Sequence, residues 1–101
     1  MATRLDLQNK LEEFNGNRNV YYDPPENLKM EYDAIRYSKK KPSYAYANDA
    51  KYKLMNCYEI IVISRKSDSP VVEKLMALPY CSYDRDYKAD NLYHDVLTLY
   101  W

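Results

Sequence analysis

The stretch Tyr58–Ser64, with the sequence YEIIVIS, is the most strongly strand-forming segment of this chain. Its residues Ile60–Ile63 are all β-branched and make up an apolar run of a length that no other run exceeds, and residues of this kind are enriched in strands. The run is far shorter than the ~20 apolar residues that a membrane-spanning helix needs. A short apolar run is typical of a strand that is buried on both faces. We therefore predict a central strand within residues 52–65.

Two helices are predicted, one before and one after this strand. Thr3 can cap a helix over residues 4–15, and Gly16 follows it as a stop signal. The sequence SDSP supplies a capping serine and a proline for the first turn of a second helix over residues 71–78. The side chains expected to be buried are Leu7, Leu11 and Phe14 of the first helix, and Val72, Leu75 and Met76 of the second.

Alternating or β-rich segments predict four further strands, at Asn19–Tyr22, Glu31–Ser38, Tyr80–Asp84 and Asn91–Trp101. A chain of 101 residues fits one core. The order of helices and strands predicts a single α+β domain over residues 1–101, with an antiparallel or mixed sheet of about four to five strands and both helices packed on one face. In the last strand, Leu97, Leu99 and Trp101 should share one face.

Residues 39–50, KKKPSYAYANDA, lack any core-forming periodicity and are predicted to form a projecting loop or hairpin arm. Long segments of this kind are usually functional or disordered. The candidate contact residues in this arm are Lys39, Lys40, Lys41, Tyr44 and Tyr46. Interleaved basic and aromatic residues also occur in proteins that bind single-stranded nucleic acid. Fifteen basic and fifteen acidic residues cancel, however, which favours a contact to protein or a solvated arm.

Aspartates are concentrated in the C-terminal part, between Tyr83 and Asp95. This aspartate-rich turn could bind a hard cation, but its spacing does not match a calcium-binding loop. An acidic docking patch or a solvated turn is the preferred interpretation. Neutral chains with opposed charged patches suit head-to-tail contacts between copies. The acidic candidates for that interface are Asp84, Asp86 and Asp90.

Residues that could carry out catalysis are sparse. Nucleotide-binding loops need several glycines, and Gly16 is the only one in the chain. His94 and Asp95 are adjacent in a predicted strand, so their side chains should point to opposite faces. Cys57 and Cys81 have no metal-like spacing, and buried apolar positions suit both. We therefore expect no enzymatic activity and no cofactor.

The sequence resembles small proteins encoded among the head-to-tail joining genes of long-tailed bacteriophages, namely tail-terminator and related neck proteins. The resemblance covers nearly the whole chain and includes the pattern Tyr-x-Ala-Ile-x-Tyr. It lies in the opening helix and in the stretches NVYYDPPENLKMEYDAIRYS (19–38), YANDAKYKLMNCYEIIVISRKSDSPVVEKL (46–75) and LPYCSYDRDYKADNLYHDVLTLYW (78–101).

The resemblance implies an α+β subunit that forms a ring, commonly a hexamer, which caps the tail tube and joins tail to head. The expected partners are further copies of the chain, the tail-tube protein and head–tail connector proteins, with DNA at most passing through the ring. The expected location is the head–tail junction of the virion after assembly in the host cytoplasm, without a membrane. The chain is short for many terminators, which leaves a head-completion or stopper role as the alternative.

Overall fold

A computed structural model describes residues 3–40 and 56–101 of the chain. Two helices and five strands form one small α+β domain, as predicted. In chain order they are α1 (Arg4–Asn15), β1 (Val20–Tyr22), β2 (Ala34–Lys40), β3 (Cys57–Ser64), α2 (Pro70–Met76), β4 (Cys81–Ala89) and β5 (Leu92–Tyr100).

The five strands form one mixed sheet in the order β1-β2-β3-β5-β4. β1 pairs with β2 in parallel, and the other neighbours are antiparallel. β3 is the middle strand, which confirms the prediction for YEIIVIS. It is buried on both faces: Ile60 and Val62 point to one face, and Cys57 and Ile63 to the other. The most apolar segment of the chain therefore lies at the centre of the sheet.

Helix α1 has the predicted ends because its termini are satisfied locally. The Thr3 hydroxyl accepts a hydrogen bond from the Asp6 backbone, and the Asp6 carboxylate accepts one from the Thr3 backbone, which together form a capping box. Gly16 ends the helix with a left-handed φ of 76°, a conformation that glycine adopts without strain. Leu7 and Leu11 are fully buried, so the predicted apolar face of α1 is confirmed.

Helix α2 begins as predicted, with Ser69 as its cap and Pro70 in its first turn. Its buried residues are Val71 and Leu75, four positions apart and therefore on one face. The prediction for Met76 was wrong, because its side chain is 44% exposed. The prediction for Leu75 is confirmed, and Val72 is partly buried against the same core.

The main core lies between both helices and one face of the sheet. Strand pairing places the buried sheet residues of this core on a single face, which we call the helix face. They are Val20, Ile35, Tyr37, Tyr58, Ile60, Val62, Leu97 and Leu99. Trp101 packs against the same cluster, as expected from the alternation in the last strand.

Several boundaries differ from the sequence predictions, and two of them involve candidate contact residues. β2 continues to Lys40, so Lys39 and Lys40 are strand residues paired with Tyr58 and Cys57 and are not part of a projecting arm. Strand pairing with the apolar β3 extends β2 beyond its own apolar pattern. The remainder of the predicted arm, residues 41–50, lies outside the described residues, and so do Lys41, Tyr44 and Tyr46.

The predicted aspartate-rich turn is largely a paired hairpin. β4 continues five residues beyond Asp84, its predicted end, and pairs with β5 as far as Ala89. The turn itself contains only Asp90 and Asn91, with φ values of 52° and 62°. Two consecutive residues with positive φ are typical of a tight hairpin turn. Pairing with β5 thus overrides the poor strand propensity of the aspartates.

Candidate interaction surfaces

The candidate aspartates do not form one patch. A register irregularity between Tyr83 and Arg85 makes Asp84 a bulge residue, and its carboxylate lies on the sheet face opposite the helices, where Thr98 contacts it. Asp86 points to the helix face, and Asp90 lies in the turn. The sequence predicted the three residues as a group, but strand alternation and the bulge place Asp84 and Asp86 on opposite faces of the sheet, and Asp90 lies in the turn.

Lys40 and Asp84, expected to attract different subunits, meet within this chain. The Lys40 Nζ donates to Thr98 Oγ1 at 3.2 Å, and Thr98 Oγ1 donates to Asp84 Oδ2 at 2.7 Å. The direct Nζ–Oδ2 distance is 4.0 Å. Both charged side chains remain partly exposed, so the pair contributes at most about 1 kcal/mol to stability. This chain of contacts reduces the availability of Lys40 for a partner.

Lys39 remains available at the end of β2. It lies on the helix face, because its partner Tyr58 belongs to the core cluster. Its side chain is exposed, and within residues 3–40 and 56–101 no carboxylate forms an ion pair with it. Two of the five candidate residues from the predicted arm are described, Lys39 and Lys40. Of these two, Lys39 has no ion-pair partner among the described residues.

An acidic cleft, defined by Asp68, Glu73, Asp86 and Asp95, lies at the other end of the helix face. It consists of two adjoining depressions of about 310 Å³ and about 290 Å³ that share Asp68, Tyr83 and Asp95. Asp68 and Glu73 were not among the predicted candidates, because Asp68 lies in the loop before α2 and Glu73 in α2 itself. Their isolated positions in the sequence gave no signal that they would lie beside the hairpin.

Two of these carboxylates face each other across neighbouring strands. Asp86 and Asp95 are direct partners in the β4–β5 pairing, an arrangement that is destabilising for like charges. The Tyr83 hydroxyl donates to Asp95 Oδ1 at 2.6 Å, and this hydrogen bond raises the pKa of Tyr83 above its ordinary value. In the described part of the chain, neither carboxylate has a Lys or Arg ion-pair partner.

A smaller cavity of about 170 Å³ adjoins the acidic cleft through Ser67 and Asp68. Ser64, the last residue of β3, also lines it. The Ser64 side chain points to the helix face, because its strand partner Tyr93 alternates with Asp95 and Leu97. Ser64 is 2% exposed, and its hydroxyl has no hydrogen-bond partner among the described residues.

His94 and Asp95 are not arranged as an acid–base pair. The His94 ring stacks on Tyr87, with 4.7 Å between ring centroids, and His94 Nδ1 lies 3.1 Å from the Leu92 carbonyl oxygen. Asp95 instead binds Tyr83. Within residues 3–40 and 56–101, no group of three or more His, Cys, Asp or Glu side chains is placed to hold a metal ion.

The two cysteines are separate free thiols. Burial raises the pKa of both, and that of Cys81 reaches about 11. Cys81 therefore keeps its proton at neutral pH. Because the thiolate and not the thiol acts as a nucleophile, the protonated Cys81 side chain is a poor nucleophile at neutral pH.

Stability should fall at alkaline pH because of Cys81. Its folded-state pKa of about 11 lies above the ordinary 9.0, so its contribution is complete below pH 9 and is lost as the pH rises towards 11. Urea denaturation at about pH 8 and about pH 10.5 should show a smaller pH-dependent loss for Cys81→Ser than for the unaltered protein. Equal losses in the two proteins would contradict the role of this thiol.

Neither described helix is long and apolar enough to cross a membrane.

The fold and its surfaces define a small α+β domain with a lysine at one end of the helix face and an acidic cleft at the other. Comparison of this chain with protein-family models, curated proteins and solved structures found no match.

Proposed function

We propose that this chain is a structural subunit of a bacteriophage particle that forms a ring at the head–tail junction, caps the tail tube and joins tail to head. The resemblance of the sequence to tail-terminator and neck proteins supports this proposal. That resemblance implies an α+β subunit, and the chain has such a fold.

The observation that carries the proposal is the separation of charge along the helix face. Lys39 is level with Tyr58 near the start of β3, whereas the acidic cleft lies beside the end of that strand. Opposite charges at opposite ends of one face suit a head-to-tail contact, in which each subunit offers one end to the next. Such a contact closes into a ring when its rotation divides a full turn.

Light scattering after gel filtration, together with negative-stain imaging, tests this function. We expect a discrete ring-shaped oligomer that binds purified tail tubes. Raising the salt to about 1 M, where the screening length falls to about 3 Å, should shift the oligomer towards monomer. A strict monomer at high protein concentration that also fails to bind tail tubes would contradict the proposal. Binding to connector complexes but not to tubes would favour the stopper role.

A nucleic-acid-binding role has less support from the described residues. Lys40, one of the three lysines that suggested it, is engaged by Thr98 and Asp84. The same helix face also carries the acidic cleft, which would repel phosphates. Binding to labelled single-stranded DNA that weakens steeply with salt would overturn this ranking.

A further inference from the structure

We propose that the free edge of β4 pairs with the same edge of a second copy of this chain, so that two five-stranded sheets join into one across a two-fold axis at Tyr87. The pairing does not rest on the ring-forming function, because it closes with two copies and does not involve Lys39. It is based on an open strand edge, on a register in which the charges of β4 are self-complementary, and on an exposed aromatic ring at the axis.

β4 is the open edge of the sheet. It is the outermost strand beside β5, and its residues 82–88 are all exposed. Within residues 3–40 and 56–101, no strand pairs with its outer side. The unpaired N–H and C=O groups along such an edge are a template for pairing with another chain.

The opposite edge of the sheet is closed to such a partner. β1 has only three residues. The Asn19 carbonyl accepts a hydrogen bond from Ile35 of β2, so the next carbonyl, that of Val20, points outward. Gln8 of α1 donates its Nε2 to the Val20 carbonyl at 3.1 Å. Because short and covered edges resist further pairing, a second copy would extend the sheet at β4.

The backbone of β4 has free hydrogen-bonding groups at its outer side. The hairpin turn has two residues, with Ala89 opposite Leu92, and residues that flank such a turn bond to each other. Bonding alternates along an antiparallel pair, so Tyr87 also bonds to β5. The alternate residues, Asp86 and Lys88, point their N–H and C=O groups away from β5. Asp86 of one copy and Lys88 of the other can therefore exchange two backbone hydrogen bonds when they lie opposite each other.

The charges of β4 select the register. In a continuous sheet the two-fold axis passes through a residue, because opposed side chains share a face. An axis at Tyr87 sets Asp86 opposite Lys88 twice, whereas an axis at Asp86 or at Lys88 would set like charges opposite each other, which is destabilising. Regular pairing ends at the bulge at Asp84 and at the hairpin turn, so the paired stretch is Arg85–Ala89. Charges on an edge usually discourage pairing, but these two attract each other in this register.

An aromatic ring lies at this axis. Tyr87 is 41% exposed on the sheet face opposite the helices, and its ring stacks on His94 with 4.7 Å between ring centroids. Across the axis it would face Tyr87 of the second copy at a position where the two backbones are not hydrogen-bonded and the Cα atoms are about 4.5 Å apart. Aromatic pairs across antiparallel strands are stabilising. The row of rings would continue through the His94 side chain of each copy.

Charge exchange within β4 tests the pairing by sedimentation velocity. Lys88→Glu sets carboxylates opposite each other on both sides of the axis and should weaken association at least about tenfold, and Asp86→Lys should do the same with ammonium groups. The double variant Asp86→Lys/Lys88→Glu restores opposite charges and should recover most of the loss. Lys29→Glu is the matched control, since Lys29 is also exposed but lies in the loop between β1 and β2; it should associate normally. A double variant as weak as the single ones would overturn the register.

Cysteine cross-linking tests the position of the axis. Tyr87→Cys sets one thiol opposite the same thiol of the second copy, and a Cα separation of about 4.5 Å allows a disulfide. It should therefore form a covalent dimer on air oxidation, well above the background that Cys57 and Cys81 give in the unaltered protein. Arg85→Cys is the control, because Arg85 is also exposed but would lie opposite Ala89; it should cross-link far more slowly. Equal rates for the two variants would overturn an axis at Tyr87.

The outcomes separate this pairing from the proposed function. A ring-shaped oligomer that keeps its size in Lys88→Glu would overturn the pairing at β4 and leave the ring-forming function standing. A dimer that Lys88→Glu dissociates, with no larger assembly and no binding to tail tubes, would support the pairing and contradict the function. A protein that is monomeric at every concentration, and whose Tyr87→Cys variant cross-links no faster than the background, would overturn the pairing.

Discussion

Replacing Ile60 with alanine should lower the free energy of unfolding by about 2–5 kcal/mol. Ile60 is 0% exposed in the middle of β3 and belongs to the core between the sheet and both helices. Its strand partners Tyr37 and Leu97 are also buried, so the surroundings can collapse only partly into the space that it leaves. Small domains are stable by only about 5–15 kcal/mol, so this change removes a large share.

Ile61→Ala is the matched control for this experiment. Ile61 is the next residue of the same strand, but its side chain points away from the helices and is only half-buried. Both changes remove the same atoms from the same strand, so the difference between their free energies of unfolding reflects how tightly each face of the sheet is packed. Urea denaturation of both variants measures this difference. A loss for Ile61→Ala as large as that for Ile60→Ala would contradict a main core on the helix face.

Replacing Leu11 with alanine should cost a similar amount, about 2–5 kcal/mol. Leu11 is 0% exposed and attaches α1 to the core together with Leu7. Alanine is the better helix former, so the loss comes from packing and not from the helix itself. The contacts of Gln8 with Tyr37 Oη at 2.5 Å and with the Val20 carbonyl at 3.1 Å would remain, but they lie at the margin of the interface.

Leu5→Ala provides the control in the same helix. Leu5 is 63% exposed, and exposed substitutions usually change stability by less than about 0.5 kcal/mol. Both variants gain the same helix propensity, so thermal or urea unfolding isolates the value of the α1–sheet contact. If Leu11→Ala proved as mild as Leu5→Ala, α1 would not be docked through the face described here.

Asp86 and Asp95 place two carboxylates opposite each other in the β4–β5 hairpin. Like charges in direct register weaken the β4–β5 hairpin, so a neutral residue in place of Asp86, whose partner Asp95 also accepts a hydrogen bond from Tyr83, should not lower stability. Natural proteins often keep locally unfavourable groups where function requires them.

Local signals allowed much of the fold to be predicted. Thr3, Gly16 and the SDSP sequence act within a few residues of themselves, and both helices begin where these signals placed them. The continuous apolar run of β3 predicted a strand covered on both faces. The face of α2 was less predictable, since Val71, Val72, Leu75 and Met76 offer two overlapping apolar stripes, and packing against the sheet selects one of them.

The candidate surfaces depended more on long-range pairing. Lys40 and Asp84 are 44 positions apart, and they meet because Thr98 of β5 lies between them on the same sheet face. Nothing in the local sequence around Asp84 indicates the bulge that turns it towards Thr98. The sequence suggested opposed charges, and among the described candidates Lys39 and Asp86 are the two that lie on the helix face.

Local chemistry was enough to predict the α+β class, the central place of Tyr58–Ser64 and the ends of α1, because each depends on residues within one turn or one strand. The position of β5 between β3 and β4 follows only from the folded chain. That order brings Asp95 against Asp86 and places both beside Asp68. Strand order depends on which distant apolar faces pack together, and the charged residues that these strands carry are positioned as a result.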